Sequence, residues 1–164
     1  MDESIIDLQS DHYFMGEALR QALRAFDAGE VPVGAVIVHE KRVIARAFNQ
    51  VELLKDATAH AEMLALTQAE EVMGDWRLTG CTLYATKEPC PMCAGAMVHT
   101  RVERVVFGLR DPRGGAAGSA LNLLQFKGLN HHAEILAGVR EDECRQLLQT
   151  FFAGQRAKSK DPLF

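Results

Sequence analysis

Two cysteines lie two residues apart in the stretch KEPCPMCAGAMVH, residues 87–99. Such a pair is compatible with a redox disulfide, half of a structural zinc site or part of a catalytic metal site. Pro91 suits the first position of a helix, because its fixed φ fits there and no N–H is needed. Cys90 and Cys93 then lie at the positive end of that helix, which favours thiolates, the form of cysteine that binds metals.

A third ligand is available upstream in TAHAE, residues 58–62. His60 and Glu62 point in different directions on a regular helix, so they cannot form the i,i+4 zinc clamp of metalloproteases. Both can reach a metal that lies beyond the helix N-terminus. Zinc with three protein ligands, here two cysteines and one histidine, keeps a fourth position for water. A four-cysteine site would need a second close pair, whereas Cys81 and Cys144 are isolated and are predicted to be buried as small apolar side chains.

These residue types predict a hydrolytic reaction. Zinc lowers the pKa of its bound water to about 7. Glu62, which is not a ligand in this assignment, can take the proton from that water and return it to the substrate, a contribution of about 10²–10⁴ in rate. The pattern His-x-Glu followed by Pro-Cys-x-x-Cys matches the known signature of zinc-dependent nucleobase deaminases, which release ammonia from the base.

The elements around these residues alternate between helices and strands. Helices are predicted over 11–28, 59–73 and 90–100 and from about 141 onward, and strands over 34–39, 43–48, 82–86, 104–108 and 133–137. Ser10 or Asp11 is expected to cap the first helix, and Thr58 the second. This alternation predicts an α/β fold, a mixed five-stranded sheet covered by helices on both faces in three α/β/α layers. We expect one domain over residues 1–164, with a flexible tail from about residue 156.

Composition excludes several classes of protein. Hydrophobic residues make up 48% of the chain and charged residues 24%, as in ordinary globular proteins. No apolar run approaches the length of a membrane span, and the acidic N-terminus lacks the basic and apolar regions of a signal peptide. Four cysteines without an export signal indicate a reducing compartment. We therefore expect a cytoplasmic protein with no membrane partner.

The charges are unevenly distributed within a chain of net charge −4. Residues 1–30 carry seven acids and two bases, a net charge of −5, whereas residues 100–132 carry five bases and two acids, a net charge of +3. The positive stretch is compatible with chance clustering on a solvated surface or with a path for RNA.

Longer motifs extend the pattern across most of the chain. They are EVPVGAVIV at 30–38, Asn49, TAHAEMLAL at 58–66, EPCPMCAGAMVHTRVERVVFGLRD at 88–111 and GAAGS at 115–119. On these motifs the sequence resembles the cytidine deaminase superfamily, and within it the family of bacterial tRNA-specific adenosine deaminases, which convert the wobble adenosine of an anticodon to inosine. The resemblance implies a cytidine deaminase-like fold, a homodimer, and a tRNA anticodon loop as partner.

The resemblance also implies roles for individual residues. It implies one zinc ion per chain on His60, Cys90 and Cys93, with Glu62 as the proton shuttle. The substrate-binding positions that it implies are Val33, Asn49, Ala61, Arg110, Asp111 and Phe152. Among these, the Asn49 amide would orient the purine, while Val33 and the backbone at Ala61 would line the base pocket. Arg110 and Asp111 would begin a loop that binds nucleic acid, and Phe152 would lie on the C-terminal helix near the substrate.

Two other functions stay open. A deaminase of a free base or nucleoside, of the guanine or cytosine type, would use the same zinc and glutamate but would not need the positive stretch. A non-catalytic zinc subunit could dispense with the carboxylate, whereas Glu62 is present here. The sequence departs from the family at Lys87, where relatives usually have leucine. That side chain could contact a phosphate or extend into solvent.

Overall fold

The computed structural model describes residues 7–159, which form five helices and five strands. The helices are α1 (Asp11–Asp27), α2 (Val51–Leu54), α3 (Ala61–Met73), α4 (Pro91–His99) and α5 (Glu141–Ser159). The strands are β1 (Gly34–His39), β2 (Arg42–Phe48), β3 (Cys81–Lys87), β4 (Arg104–Leu109) and β5 (Glu134–Ala137). Every predicted element is present, with ends shifted by one or two residues. The short helix α2 was not predicted, because four residues carry no periodic signal.

The strands form one mixed sheet in the order β2-β1-β3-β4-β5. Strand β1 is antiparallel to both β2 and β3, whereas β3, β4 and β5 are parallel to one another. A two-residue turn joins β1 to β2, with Glu40 and Lys41 at φ values of 48° and 64°. Such left-handed turns match the twist of the strands that they connect. The predicted mixed five-stranded sheet is therefore confirmed.

Helices cover both faces of the sheet, and the three central strands β1, β3 and β4 are buried between them. In β1, Ala35 and Ile37 belong to the core shared with α3 and α4, whereas Val36 and Val38 face the core beneath α1 and α5. This alternation follows from the two-residue period of side chains along a strand. It explains why residues 34–38 of β1 are all apolar, and it confirms the three α/β/α layers.

Helix α1 is fixed by its cap and by close packing on β1. Ser10 is the N-cap, because its Oγ accepts a hydrogen bond from Tyr13 N at 3.1 Å. This confirms one of the two predicted caps, Ser10 or Asp11. Asp11 is the first helical residue instead. At Gly34 a Cβ atom would overlap the backbone of Ala18, so only glycine lets α1 lie this close to the strand.

The C-terminal helix α5 continues to Ser159. Residues 156–159, where we expected the flexible tail to begin, are therefore helical, and residues 160–164 lie outside the described residues. Within residues 7–159, no helix combines the length and the apolar character needed to cross a bilayer.

Candidate metal centre

The predicted ligands meet where α3 and α4 begin. Cys90 is the N-cap of α4, Pro91 occupies the first helical position, and Cys93 lies in the first turn, as predicted. His60 is the N-cap of α3 and makes no capping hydrogen bond through its side chain. Its ring is therefore free to face the two cysteines.

The prediction that Thr58 caps this helix is wrong. Its backbone N–H and its hydroxyl both donate to Asp56 Oδ1, at 2.8 and 2.7 Å, so the side chain is engaged in a local turn. The helix begins at Ala61, two residues later than predicted. The shift matters for function, because it puts His60 at the cap.

The three ligand atoms have the spacing of a metal site. His60 Nδ1 lies 3.5 Å from Cys90 Sγ and 3.5 Å from Cys93 Sγ, and all three atoms lie within 4.8 Å of one another. A tetrahedral zinc with ordinary Zn–N and Zn–S bonds would separate nitrogen and sulfur by about 3.5–3.6 Å. The donor set therefore fits zinc in both chemistry and spacing.

Hydrogen bonds and burial set the charges of these groups. Contact with the Cys93 thiol lowers the pKa of Cys90 to about 4, although burial opposes the shift. The same contact raises the pKa of Cys93, and burial acts in the same direction. A hydrogen bond with Cys90 raises the pKa of His60. Metal binding requires both cysteines as thiolates, so it would displace the proton that Cys93 holds.

Glu62 lies in the first turn of α3, beside the cluster but outside it. Its side chain is only 4% exposed, and Cys93 Sγ donates to its Oε2 at 3.0 Å. Burial raises the pKa of Glu62, although the contacts with Cys93 and His60 lower it. Among the described residues, the cluster of possible metal ligands contains His60, Cys90 and Cys93 but not Glu62. A buried carboxyl group beside the ligand atoms is placed to take up and release a proton there.

A cavity of about 250 Å³ opens onto these residues. Ligand pockets for drug-sized molecules measure roughly 300–1,000 Å³, so this one suits a single ring system. Four of the six implied substrate-binding residues line it: Val33, Asn49, Ala61 and Asp111.

Asn49 presents an unsatisfied acceptor in this cavity wall. Its Nδ2 donates to Val31 O at 3.2 Å, whereas its buried Oδ1 has no hydrogen-bond partner among the described residues. A buried acceptor without a donor costs about 1–3 kcal/mol. An N–H group of a bound ligand would remove that cost.

Arg110 and Phe152 do not line the cavity. Arg110 is exposed, with its guanidinium 6.0 Å from the centre of the Phe107 ring. Phe152 is exposed on α5 and packs edge-on against Phe151 at 5.4 Å. The contacts implied for these two side chains concern RNA beyond the base, and they stay predictions.

Sequence reasoning missed Glu88, which holds one side of the cavity. Its side chain is 3% exposed and accepts hydrogen bonds from Asp111 N, Ala117 N, Ser119 N and the Ser119 hydroxyl. At Gly115 a Cβ atom would overlap the Glu88 carboxyl group. Glu88 therefore attaches the loop that carries Asp111 to the strand that leads to Cys90. The only signal in the sequence was an acid directly before the Pro-Cys motif.

Glu30 holds the opposite side of the cavity and was also missed. It is buried, and its carboxyl group accepts hydrogen bonds from Glu52 N at 3.1 Å and from Leu53 N at 2.6 Å. These N–H groups belong to α2, so Glu30 fixes that short helix against the cavity. A lone acid before the apolar run of β1 was the available signal.

Comparisons with known proteins agree on one class of enzyme. The MafB19-like deaminase family matches residues 9–156. The tRNA-specific adenosine deaminase of Bacillus subtilis (strain 168) is 50% identical over 153 residues, which are 93% of this chain and 95% of that protein.

Solved structures show the same fold. One, from biochemical and structural studies of A-to-I editing by tRNA:A34 deaminases at the wobble position of transfer RNA, is 41% identical with a TM-score of 0.80, and the match covers 83% of this chain and 99% of that one. A guanine deaminase from Nitrosomonas europaea is 25% identical with a TM-score of 0.76, and the match covers 88% of this chain and 85% of that one.

Proposed function

Because this chain belongs to the MafB19-like deaminase family, and within it to the tRNA-specific adenosine deaminases, we propose that it deaminates adenosine at the wobble position of a tRNA anticodon. Water replaces the 6-amino group, so the products are inosine and ammonia. The observation that carries the proposal is the His60, Cys90 and Cys93 cluster with buried Glu62 beside it, at a cavity that suits one base.

The metal is proposed to be one zinc ion per chain, held by His60 Nδ1 and the two cysteine sulfurs. Their separations of 3.5 Å support this assignment. Zinc held by three protein ligands makes a water molecule at its open position acidic enough to ionise near pH 7. The positive ends of α3 and α4 favour the negative charge that the ligands then carry.

Glu62 is proposed to move the proton. Its carboxyl group accepts the proton that the attacking water loses and delivers it to the base, so that the amino group leaves as ammonia. The position of Glu62 beside the cluster supports this role. Burial also raises its pKa, which makes the protonated form easier to reach than in an exposed carboxyl group. Because the Glu62 side chain is buried, bulk water cannot compete for the proton that it carries.

The remaining cavity residues are proposed to orient the base. The unpaired Oδ1 of Asn49 would accept a hydrogen bond from the 6-amino group, which carries the only N–H bonds of an adenine attached to ribose. Val33 and the backbone at Ala61 would contact the face and edge of the base. A base reaches such a cavity only when it is unstacked and turned out of the strand, as bases in a single-stranded loop can be. Asp111 lies at the cavity wall, and Arg110 and Phe152 are proposed to contact flanking nucleotides.

The assembly and location are proposed from the same family membership. Two chains would form a homodimer with the active site near the interface, and a tRNA substrate would put the reaction in the cytoplasm.

The direct test is incubation of purified protein with total tRNA, followed by sequencing, in which inosine is read as guanosine. We expect conversion at the first anticodon position of a small set of tRNAs and none with Glu62→Gln. Absence of conversion, together with efficient release of ammonia from free guanine, would favour the guanine deaminase reaction of the Nitrosomonas europaea relative instead.

A further inference from the structure

Lys87 is rigidly placed at the mouth of the cavity. It is the last residue of β3 and lies opposite Leu109 in the parallel register with β4, so its backbone is held in the sheet. Its side chain lines the cavity, and Nζ lies 3.2 Å from Asp111 Oδ2. The Lys87 side chain is 36% exposed, so it can be reached from solvent.

Asp111 holds the lysine without saturating it. Asp111 Oδ1 accepts hydrogen bonds from Arg113 N at 3.1 Å and Gly114 N at 3.2 Å, which fixes the carboxylate in place. An ammonium group has three N–H donors, and Asp111 is the only partner of Lys87 among the described residues. Two donors therefore remain for a ligand, and the ion pair need not break to use them.

The charges of the cavity wall make this lysine distinctive. Carboxyl groups line the cavity on several sides: Glu30, Glu52, Glu62, Glu88 and Asp111. Within the described wall, Lys87 is the one lysine or arginine. Most polar groups in this wall are carboxylates or neutral groups, which repel a phosphate or do not attract it. Lys87 is the side chain in the wall that would attract the phosphate of an approaching RNA backbone.

We infer that Lys87 binds a phosphate of the RNA strand next to the target adenosine. It would thereby favour a nucleotide within a strand over a free base or nucleoside, which lacks that phosphate. The inference rests on the proposed function, since it assumes that the cavity receives a base from RNA. A phosphate suits the position better than a base edge, because the ammonium is a point charge that offers only donors at a solvated rim.

The test compares Lys87→Met with Lys87→Arg, which keeps the charge, and with Arg20→Leu. Arg20 is on α1, is 77% exposed and does not line the cavity. Methionine keeps the unbranched stem, so the sheet edge should stay folded, as thermal melting would check. Binding of an RNA hairpin with the target adenosine in its loop is measured at several salt concentrations, with Glu62→Gln in every protein so that the RNA is not consumed.

Lys87→Met should weaken binding roughly 5- to 20-fold, between the contributions of an exposed ion pair and of a buried charged hydrogen bond. It should also flatten the slope of log affinity against log salt by about 0.7, the value for one phosphate of a single strand. Lys87→Arg and Arg20→Leu should keep the slope. The affinity for free adenosine, measured by direct binding to the same proteins, should not change in Lys87→Met.

Two results would overturn the inference. Unchanged affinity and slope in Lys87→Met would mean that the lysine touches no phosphate. Weaker binding with an unchanged slope would mean that Lys87 acts only by positioning Asp111. Failure of the proposed function would be distinguishable from these two results, because the unaltered protein would then form no inosine in tRNA.

Discussion

The two faces of the sheet each carry a cluster of polar side chains, and the clusters differ in whether their charges cancel. On the α1 face, Asp11 accepts a hydrogen bond from the Tyr84 hydroxyl at 2.7 Å and two from the Arg104 guanidinium at 2.7 and 2.8 Å. The hydrogen bond from Arg104 holds the pKa of Asp11 below its ordinary value, and burial and Asp11 raise the pKa of Tyr84. This cluster is complete without a ligand.

The cluster on the α3 and α4 face is not complete. Cys90, Cys93 and Glu62 are all negative when deprotonated, and only His60 can carry positive charge. Contact between the two cysteines lowers the pKa of Cys90 and raises that of Cys93, whereas burial raises the pKa of Glu62. A negative charge on Cys90 raises both of the last two further. Such a cluster needs a proton or a metal cation. The comparison predicts that substitutions in the cluster on the α1 face mainly lower the stability of the fold, whereas substitutions around the cluster on the α3 and α4 face mainly lower catalytic activity.

The largest effect on chemistry alone is expected for Glu62→Gln. Glutamine keeps the size and the hydrogen-bonding capacity of the side chain but cannot shuttle a proton, so single-turnover conversion of tRNA should fall by about 10²–10⁴. Thermal stability and metal content should be close to those of the unaltered protein. Loss of the metal in this variant would mean that Glu62 is a ligand, and the assignment of roles would be wrong.

A smaller effect is expected for Asn49→Ala. The change removes the unpaired Oδ1 that would accept a hydrogen bond from the 6-amino group of adenine, at a cost of about 1–3 kcal/mol, or roughly 5- to 150-fold in kcat/KM. The salt dependence of RNA binding should stay the same, because no charge is removed. A lower melting temperature with unchanged kcat/KM would make Asn49 a structural residue and weaken the contrast between the two faces.

Asp11→Asn is expected to leave the activity of each folded molecule unchanged and to lower only the stability of the fold. The pKa of Asp11 is lowered in the folded protein, so its stabilising contribution is present above the unfolded value of 3.8 and is lost as the pH falls through the folded pKa. Urea unfolding at pH 7 should show a loss of about 1–3 kcal/mol, which shrinks below about pH 4. A pH-independent loss would indicate a packing defect instead.

The cluster of His60, Cys90 and Cys93 could be predicted from the sequence because each residue lies in a short motif at the start of a helix. Pro91 and the spacing of Cys90 and Cys93 determine local geometry, and the order of strands and helices follows from their apolar periods. The structural roles of Glu30 and Glu88 could not be predicted from local motifs. Their partners are backbone N–H groups 22 to 31 residues away, which no local pattern reveals.

The positive stretch 100–132 shows a second limit of sequence reasoning. Counting charges left chance clustering and a path for RNA as alternatives. In the structure Arg104 is paired with Asp11 on the α1 face. Arg101 follows the C-terminus of α4 and lies near Trp76 and Asn130, at the opposite end of that helix from Cys90 and Cys93. Charge in a sequence therefore predicts a binding surface only after its ion-pair partners are known.

The most direct test of the whole account is the zinc content of the purified protein, measured by elemental analysis beside Cys93→Ala. The unaltered protein should hold about one zinc per chain, and Cys93→Ala should lose the metal and melt at a lower temperature, because the ligands join α3 to α4. A folded, unaltered protein that holds no zinc, or a Cys93→Ala variant that holds as much as the unaltered protein, would contradict the account.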